Sequence, residues 1–346
     1  MGQPIVRISR HDLNALLTAL EVDFVKLSEC LVSPGWQLQL PRTDAPGIHY
    51  NLGGMGRMII GDQPPIDLCP HTLAIVPSRQ AFRIEVPDAV GAAPLKAVDG
   101  RRQRFAPEEV RRYVAGDGEP QIMLICGYFR ASFGAVVDLF ASLPCPIVEQ
   151  FEATDQIGFR LKTALAELIA QEVGTGAMTA SLLKQVLVML LRRSLSSMGL
   201  WVERFATLRD PAIARAFASM LARPNAPHSV RSLSRTGGLS RSAFMVRFNA
   251  SFGDSPMTIL RKLRMRRAAL LLAANDLQIE KVARDVGYAS RSSFIRAFRS
   301  SYGVEPKKYR EMSRSATDRA KPGERSGATA QVARTPDSSR TTRRLR

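Results

Sequence analysis

The stretch that decides the fold occurs twice, as Ser240-Arg241-Ser242-Ala243-Phe244-Met245-Val246-Arg247-Phe248 and as Ser290-Arg291-Ser292-Ser293-Phe294-Ile295-Arg296-Ala297-Phe298. Both copies read Ser-Arg-Ser-x-Phe-x-x-x-Phe. Downstream, Gly253 and Pro256 follow the first copy as Gly303 and Pro306 follow the second. A repeat this close indicates that one supersecondary unit is present twice.

Each copy has the signals of a short helix, a turn and a second helix. In the first, Ser229 can cap a short helix, Gly238 supplies the turn, and Ser240 can cap the helix that buries Phe244 and Phe248. In the second, Gly287 supplies the turn, and Ser290 can cap the helix that buries Phe294 and Phe298. The pattern predicts helix-turn-helix units at about 229–248 and 279–299, separated by a long basic helix that begins at Pro256.

The residues opposite the Phe anchors are the candidates for contact with DNA, because a helix fits the major groove. They are Arg241, Ser242, Met245, Val246 and Arg247 in the first unit, and Arg291, Ser292, Ile295 and Arg296 in the second. Arg can donate two hydrogen bonds to guanine, Ser can bond bases or phosphates, and Met, Val or Ile can touch a thymine methyl group. Val246 occupies the position of Arg296, so polar base readout is expected mainly from the second unit.

Charge divides the chain in the same way. Residues 1–208 hold 20 Lys and Arg against 21 Asp and Glu, whereas residues 209–312 hold 20 against 7 and residues 313–346 hold 9 against 3. A neutral front joined to a basic back indicates that the back half meets a polyanion. Residues 313–346 have almost no large apolar side chains and are predicted to be a disordered basic tail.

The front half shows short strands separated by Pro and Gly, which is typical of a β-sandwich or barrel. Residues 88–120 are polar and are predicted to be a long loop with weak structure. Residues 155–199 contain two helical apolar stripes that Gly174-Thr175-Gly176 interrupts. These stripes fit either packing against the barrel or a dimer seam, and the pattern leaves both open.

Metal chemistry is not expected in the barrel. His49 is followed by Asn51 where a His-x-His pair would be needed, and His71 is isolated, so both are interpreted as structural or surface residues. The four cysteines lack CxxC spacing and fit reduced thiols of a cytoplasmic protein. No membrane span is expected, because charges interrupt every apolar run. The sequence thus predicts no metal, no cofactor and no enzymatic activity.

Residues 209–312 resemble the DNA-binding domain of AraC/XylS-type transcription regulators. The resemblance is carried by residues at the turns, anchors and helix starts: Leu233, Gly238, Leu239-Ser240, Phe244, Phe248, Gly253, Pro256, Leu263, Arg264, Ala268, Leu271-Leu272, Val282-Ala283, Gly287-Tyr288, Ser290, Phe294, Arg296-Ala297-Phe298, Gly303, Pro306 and Tyr309-Arg310. It implies that Arg296 contacts DNA. The stretch Leu68-Cys69-Pro70-His71-Thr72-Leu73-Ala74-Ile75-Val76-Pro77 resembles the cupin-type jelly roll that often precedes this domain.

The expected fold is therefore α+β: a β-rich cupin-like jelly roll at 1–150, a helical linker and possible dimerisation segment at 151–208, an all-α DNA-binding domain at 209–312, and the tail. The expected function is ligand-responsive transcription regulation, with double-stranded DNA, RNA polymerase, a second copy of the chain and an unidentified small-molecule effector as partners. The alternatives are an effector-independent DNA-binding protein and a cupin enzyme fused to a DNA-binding module.

Overall fold

The computed structural model describes residues 8–88, 94–105, 111–140, 143–170, 172–196, 209–274 and 276–319. The strands are β1 Leu20–Val32, β2 Trp36–Leu40, β3 Gly47–Gly53, β4 Gly56–Ile60, β5 Ile66–Leu68, β6 Thr72–Val76, β7 Phe82–Val86, β8 Lys96–Asp99, β9 Arg111–Ala115, β10 Ile122–Phe133, β11 Val137–Asp138 and β12 Ile147–Gln150. The helices are α1 Arg10–Thr18, α2 Ile157–Ala170, α3 Thr175–Ser196, α4 Pro211–Ala222, α5 Val230–Gly237, α6 Arg241–Phe252, α7 Pro256–Ala274, α8 Ile279–Asp285, α9 Arg291–Tyr302 and α10 Pro306–Arg319.

The strands form two sheets. The first has the order β12-β6-β3-β10-β1-β9, with β11 paired to the end of β10, and the second has the order β5-β4-β7-β2-β8. Alternation along β3 separates two cores: Ile48 and Tyr50 pack with the helices on the outer face of the first sheet, while Ala74 and Cys126, the partners of His49, pack between the sheets. The jelly-roll expectation for the front half and the α+β fold class are confirmed.

The prediction that residues 88–120 form a weakly structured loop is wrong for two parts of this segment, Lys96–Asp99 and Arg111–Ala115, which are strands. Strand β8 pairs in parallel with β2, and β9 pairs in parallel with β1, so this polar segment adds one edge strand to each sheet. Only one side of an edge strand is paired, and β8 has no buried residue. Such a strand lacks the apolar alternation by which the inner strands are recognised.

The described helices fit the two predicted stripes of residues 155–199, because α2 ends at Ala170 and α3 begins at Thr175. Buried residues of α3 and α2, including Leu183, Leu187 and Leu161, belong to the core on the outer face of the first sheet. Packing against the barrel therefore accounts for these side chains. The last part of the predicted linker segment, residues 197–208, lies outside the described residues.

The basic half is packed directly on the front half. The Phe217 ring of α4 meets the Phe133 ring at the end of β10 with centroids 5.8 Å apart. Arg215 of α4 pairs with Asp12 of α1 at 3.5 Å. One continuous apolar core consequently extends from the outer face of the barrel through α4 and into α5, α6 and the first half of α7.

Helix α10 continues to Arg319, so the predicted disordered tail is helical at its start, and residues 320–346 lie outside the described range. No helix in the described ranges is both long and apolar enough to cross a membrane. The cysteines are free thiols, with Cys30 and Cys126 buried and Cys69 and Cys145 partly exposed.

Candidate DNA-binding surface

The first helix-turn-helix unit consists of α5 and α6. Ser229 accepts a hydrogen bond from the backbone N of Ser232 at 3.1 Å and so caps α5. Gly238 ends that helix with φ +69°, in the left-handed region that glycine tolerates best. Ser240 then caps α6 by accepting from the backbone N of Ala243 at 3.3 Å. These local signals set the two helix starts at the predicted positions.

The second unit repeats this arrangement with α8 and α9. Ser290 accepts from the backbone N of Ser293 at 3.2 Å and caps α9. The turn residue Gly287 has φ +85°, and an added Cβ would lie 2.7 Å from the carbonyl oxygen of Asn225. Glycine is thus required here twice over, by the backbone conformation and by the close approach of the segment between α4 and α5.

The Phe anchors of both units are core residues. Phe244 and Phe248 belong to the core shared with the front half, whereas Phe294 and Phe298 belong to a separate cluster. Helix α7 joins the two clusters, because Ile259, Leu260 and Leu263 lie in the first and residues from Met265 to Leu272 lie in the second. Its 19 residues correspond to about 28 Å of helix and set the separation of the two units.

Most of the predicted contact residues lie on the exposed faces of α6 and α9. Residues Arg241, Ser242, Val246 and Arg247 are exposed on α6, and Arg291, Ser292 and Arg296 are exposed on α9. Met245 and Ile295 are half-buried at corresponding positions. Val246 is 70% exposed, which is a high value for a β-branched apolar side chain and leaves its methyl groups available to a partner.

The arginines on these faces differ in their engagement with the protein. Arg247 donates from Nε and Nη2 to the two carboxylate oxygens of Asp210, both at 2.6 Å. Asp210 also caps α4, so Arg247 connects α6 to the helix that contacts the front half. Arg291 pairs with Glu280 at 2.8 Å between two exposed side chains. Among the residues that the structure describes, Arg241 and Arg296 have no ion-pair partner.

A wider set of cations surrounds these helices. Those that are exposed and have no ion-pair partner within the described part of the basic half include Arg231, Arg235, Arg261, Arg267, Arg284, Arg299, Lys307 and Lys308. The contact prediction did not include them, because it considered only the faces of the two helices that carry the Phe anchors. Unneutralised surface cations of this kind are the groups that bind phosphate oxygens.

Arg264 has a structural role that no local pattern indicates. It donates to the carbonyl oxygens of Pro224 at 2.8 Å and Ala226 at 2.9 Å. Its guanidinium carbon also lies 5.9 Å from the centre of the Tyr288 ring. Burial lowers the pKa of Arg264, which is consistent with its position inside the fold. The side chain therefore joins α7 to the entry of the first unit and the turn of the second.

Comparison with known proteins gives two family matches. Residues 233–312 match the family described as a helix-turn-helix domain, and residues 12–196 match the family described as cupin. A putative AraC-like transcription regulator of Streptomyces antibioticus is 27% identical over 302 residues, which cover 82% of this chain and 93% of that protein.

Two further similarities cover less of the chain. The HTH-type transcriptional regulator AlkR of Acinetobacter baylyi is 35% identical over 106 residues, which are 31% of this chain and 35% of that protein. The DNA-binding domain of AdpA, a global transcriptional factor solved in complex with a target DNA, is 28% identical and covers 32% of this chain and 99% of its own, with a TM-score of 0.31. The cupin match, the helix-turn-helix match and the nearly full-length AraC-like relative together identify this chain as a member of the AraC family of transcription regulators with an N-terminal cupin domain.

Proposed function

We propose that this protein regulates transcription by binding specific double-stranded DNA, with α6 and α9 entering successive major-groove segments. Two exposed helix faces of the same construction support this proposal: each stands on buried Phe anchors, carries an unpaired arginine, and lies in the half with the excess of positive charge. Helix α7, which connects the two units, is about 28 Å long, and this length is comparable with the ~34 Å repeat of the major groove.

The two helices are proposed to read DNA differently. Helix α9 presents Arg296, which has no ion-pair partner among the described residues and can donate two hydrogen bonds to guanine. At the same position α6 presents Val246, which can contact a thymine methyl group. Arg241, Ser242 and Met245 complete the proposed contact face of α6, and Arg291, Ser292 and Ile295 complete that of α9.

Arg247 is assigned a different task within this proposal. Its two hydrogen bonds to Asp210 hold α6 against α4, so it positions the recognition helix and does not read bases. Arg291 can exchange its exposed partner Glu280 for DNA at low cost, because exposed ion pairs are worth about 1 kcal/mol or less.

DNA binding is tested with the full chain and a random duplex library. Repeated selection should enrich one motif, and the affinity for it should fall steeply with salt, because several phosphates are neutralised. Removal of an exposed cation of the barrel, as in Arg57→Ala, is the matched control and should leave binding unchanged. Failure to enrich any motif would favour an effector-independent, non-specific DNA-binding protein instead.

The cupin domain is proposed to sense a small molecule and to have no enzymatic activity of its own. The described residues contain no group of three His, Cys, Asp or Glu side chains that could hold a metal ion. Stoichiometric metal in the purified protein would favour the alternative of a cupin enzyme attached to a DNA-binding module. A homodimer, contact with RNA polymerase and a cytoplasmic location belong to this proposal as well, and sedimentation of the full chain tests the first of them.

A further inference from the structure

One end of the barrel contains a cavity of about 420 Å³, which is within the range of small-molecule sites. It lies between Lys26 of β1, Tyr113 of β9 and Tyr128 and Arg130 of β10, with Leu40 and Cys126 supplying apolar surface. Asp44 also borders it, but its side chain is 94% exposed and faces Arg79 at 3.7 Å. The cavity therefore combines two cations with apolar and phenolic walls.

Lys26 is the unusual group in this cavity. Its Nζ donates a hydrogen bond to the Tyr113 hydroxyl at 3.3 Å. Burial, and to a lesser extent the charge of Arg111, lower the pKa of Lys26 to about 8. Within the described ranges no carboxylate forms an ion pair with it. A partly desolvated ammonium group without a counterion is destabilising, and an anion in the cavity would relieve that cost.

His49 supplies an independent observation close to the same cavity. It is 1% exposed, and neither ring nitrogen has a hydrogen-bond partner. Burial lowers the pKa of His49 to about 3, so the ring is neutral at physiological pH and has one donor and one acceptor to satisfy. Buried polar groups without partners are rare in folded proteins and require an explanation.

The position of the ring relates it to the cavity. His49 pairs in the sheet with Cys126, which lines the cavity, and the centroid of its ring lies 6.5 Å from that of Tyr128, another lining residue. The ring also lies 4.4 Å from that of Phe82, which lines a second, larger cavity. The ring extends over Gly47, where an added Cβ would lie 2.5 Å from Nε2. It therefore points along β3 towards the end of the barrel at which Ala45 borders the cavity.

A larger cavity of about 560 Å³ shares Leu40 and Pro41 with the smaller one, and two of its three arginines are already paired with carboxylates. Arg83 pairs with Glu85, and Arg101 donates from Nε and Nη2 to the two carboxylate oxygens of Asp99, while Arg42 is exposed. The smaller cavity, with a half-buried lysine that has no carboxylate partner among the described residues and an unsatisfied imidazole close by, has the greater need of a ligand.

The strands that carry the smaller cavity also reach the DNA-binding half. Strand β1 runs from Lys26 back to Glu21, which pairs with Arg266 of α7 at 3.7 Å. Strand β10 runs from Tyr128 to Phe133, which packs on Phe217 of α4. A β-bulge between Phe24 and Lys26 interrupts the β1–β10 ladder beside the cavity. A ligand there contacts two strands whose far ends touch α4 and α7.

We propose that this cavity is the effector site and that it takes a small organic monocarboxylate, with the carboxylate between Lys26 and Arg130 and a distal hydroxyl or carbonyl group at His49. The term effector rests on the proposed function, whereas the binding site itself does not. The ligand's apolar body lies against Leu40 and the two tyrosine rings, and binding is coupled to DNA affinity through β1 and β10.

Calorimetric titration of the full chain without DNA tests the site. The probes are phenylacetate, its neutral amide phenylacetamide, and para-hydroxyphenylacetate. Both carboxylates should bind at least about tenfold more tightly than the amide. Lys26→Met should remove the preference for the carboxylates over the amide, and Lys26→Gln is a second variant with the same expected result. The matched control is Lys96→Met, which replaces the exposed lysine of β8 and should leave the preference intact. His49→Leu should weaken para-hydroxyphenylacetate more than phenylacetate.

Equal affinity for acid and amide, no binding of either carboxylate, or unchanged binding in Lys26→Met would each overturn the proposed site. An equal effect of His49→Leu on the two carboxylates would refute the assigned role of His49. Binding to the selected duplex is measured in parallel with and without phenylacetate. If DNA binding is intact but carboxylates do not bind, only this inference fails; if carboxylates bind but no DNA motif is found, the proposed function fails instead. A DNA affinity that does not change with phenylacetate would refute the coupling through β1 and β10.

Discussion

Replacement of Arg296 by alanine should weaken DNA binding, whereas replacement of Arg247 by alanine should lower stability, although both arginines lie on the exposed faces of α9 and α6. Arg296 has no ion-pair partner in the described part of the chain, so Arg296→Ala should leave the free energy of unfolding unchanged. Loss of a bidentate contact to guanine costs about 1–3 kcal/mol, which is about 5- to 150-fold in Kd for the selected duplex. Arg247→Ala removes two hydrogen bonds of 2.6 Å to Asp210. Since the Arg247 side chain is 45% exposed, this should lower the free energy of unfolding by about 1 kcal/mol.

The assay is fluorescence anisotropy at one fixed salt concentration, with the selected duplex and a scrambled duplex of the same composition, accompanied by urea unfolding of each variant. Arg296→Ala should weaken the selected duplex far more than the scrambled one, because a base contact carries sequence information and a phosphate contact does not. If Arg296→Ala binds the selected duplex as the wild type does, α9 has been assigned the wrong contact. If Arg247→Ala relaxes specificity with unchanged stability, the positioning role of Arg247 is refuted.

Three further predictions concern stability. Gly287→Ala should lower the free energy of unfolding by a few kcal/mol, since φ is +85° and the new Cβ would lie 2.7 Å from the Asn225 oxygen. The control is Gly253→Ala, where φ is +70° and the space around the new Cβ is open. This control should cost about 1 kcal/mol, and urea unfolding measures both variants. Burial lowers the pKa of His49 in the folded state to about 3 from 6.5, so the stability linked to its neutral ring is complete above pH 6.5 and is lost as the pH falls towards 3. His49→Leu should therefore reduce the loss of stability between pH 7 and pH 4 by about 2–3 kcal/mol, measured by urea unfolding. If the free energy of unfolding falls equally with pH in both proteins, the burial of a neutral ring is contradicted. The pKa of Lys26 is lowered to about 8 from 10.5, so the destabilisation by its charged form is present below pH 8 and disappears as the pH rises to 10.5. Lys26→Met should raise the free energy of unfolding at pH 7 by about 1 kcal/mol. A free energy of unfolding below that of the wild type would show that the folded protein stabilises the ammonium group.

The two recognition helices also differ in what supports them. Helix α6 shares its core with the cupin domain through α4, whereas α9 rests on a separate cluster formed with the second half of α7. A change at the barrel reaches the first unit through packed side chains, and reaches the second through α7 and through the close approach of Gly287 to the segment between α4 and α5. The unit nearer to the barrel is the one with the apolar Val246, and the unit farther from it has Arg296.

The sequence by itself determined the repeated units, their caps and their anchors. Ser240, Ser290 and the paired Phe residues act within one helix turn of their own position, so their spacing alone predicts where the helices start and which face is buried. The alternating strands of the front half were recognisable for the same reason.

Only the tertiary structure decided which residues of these faces are free and which are engaged. Arg247 meets a carboxylate 37 positions away, and Arg264 meets carbonyl groups 38 and 40 positions away, so no local pattern distinguishes them from unpaired cations such as Arg296. The polar strands β8 and β9 form because β2 and β1 offer unpaired edges, which their own composition does not reveal. His49, an isolated histidine in the sequence, becomes an unsatisfied ring beside a cavity because strand alternation turns it between the two sheets, and burial there removes the water that would otherwise satisfy it.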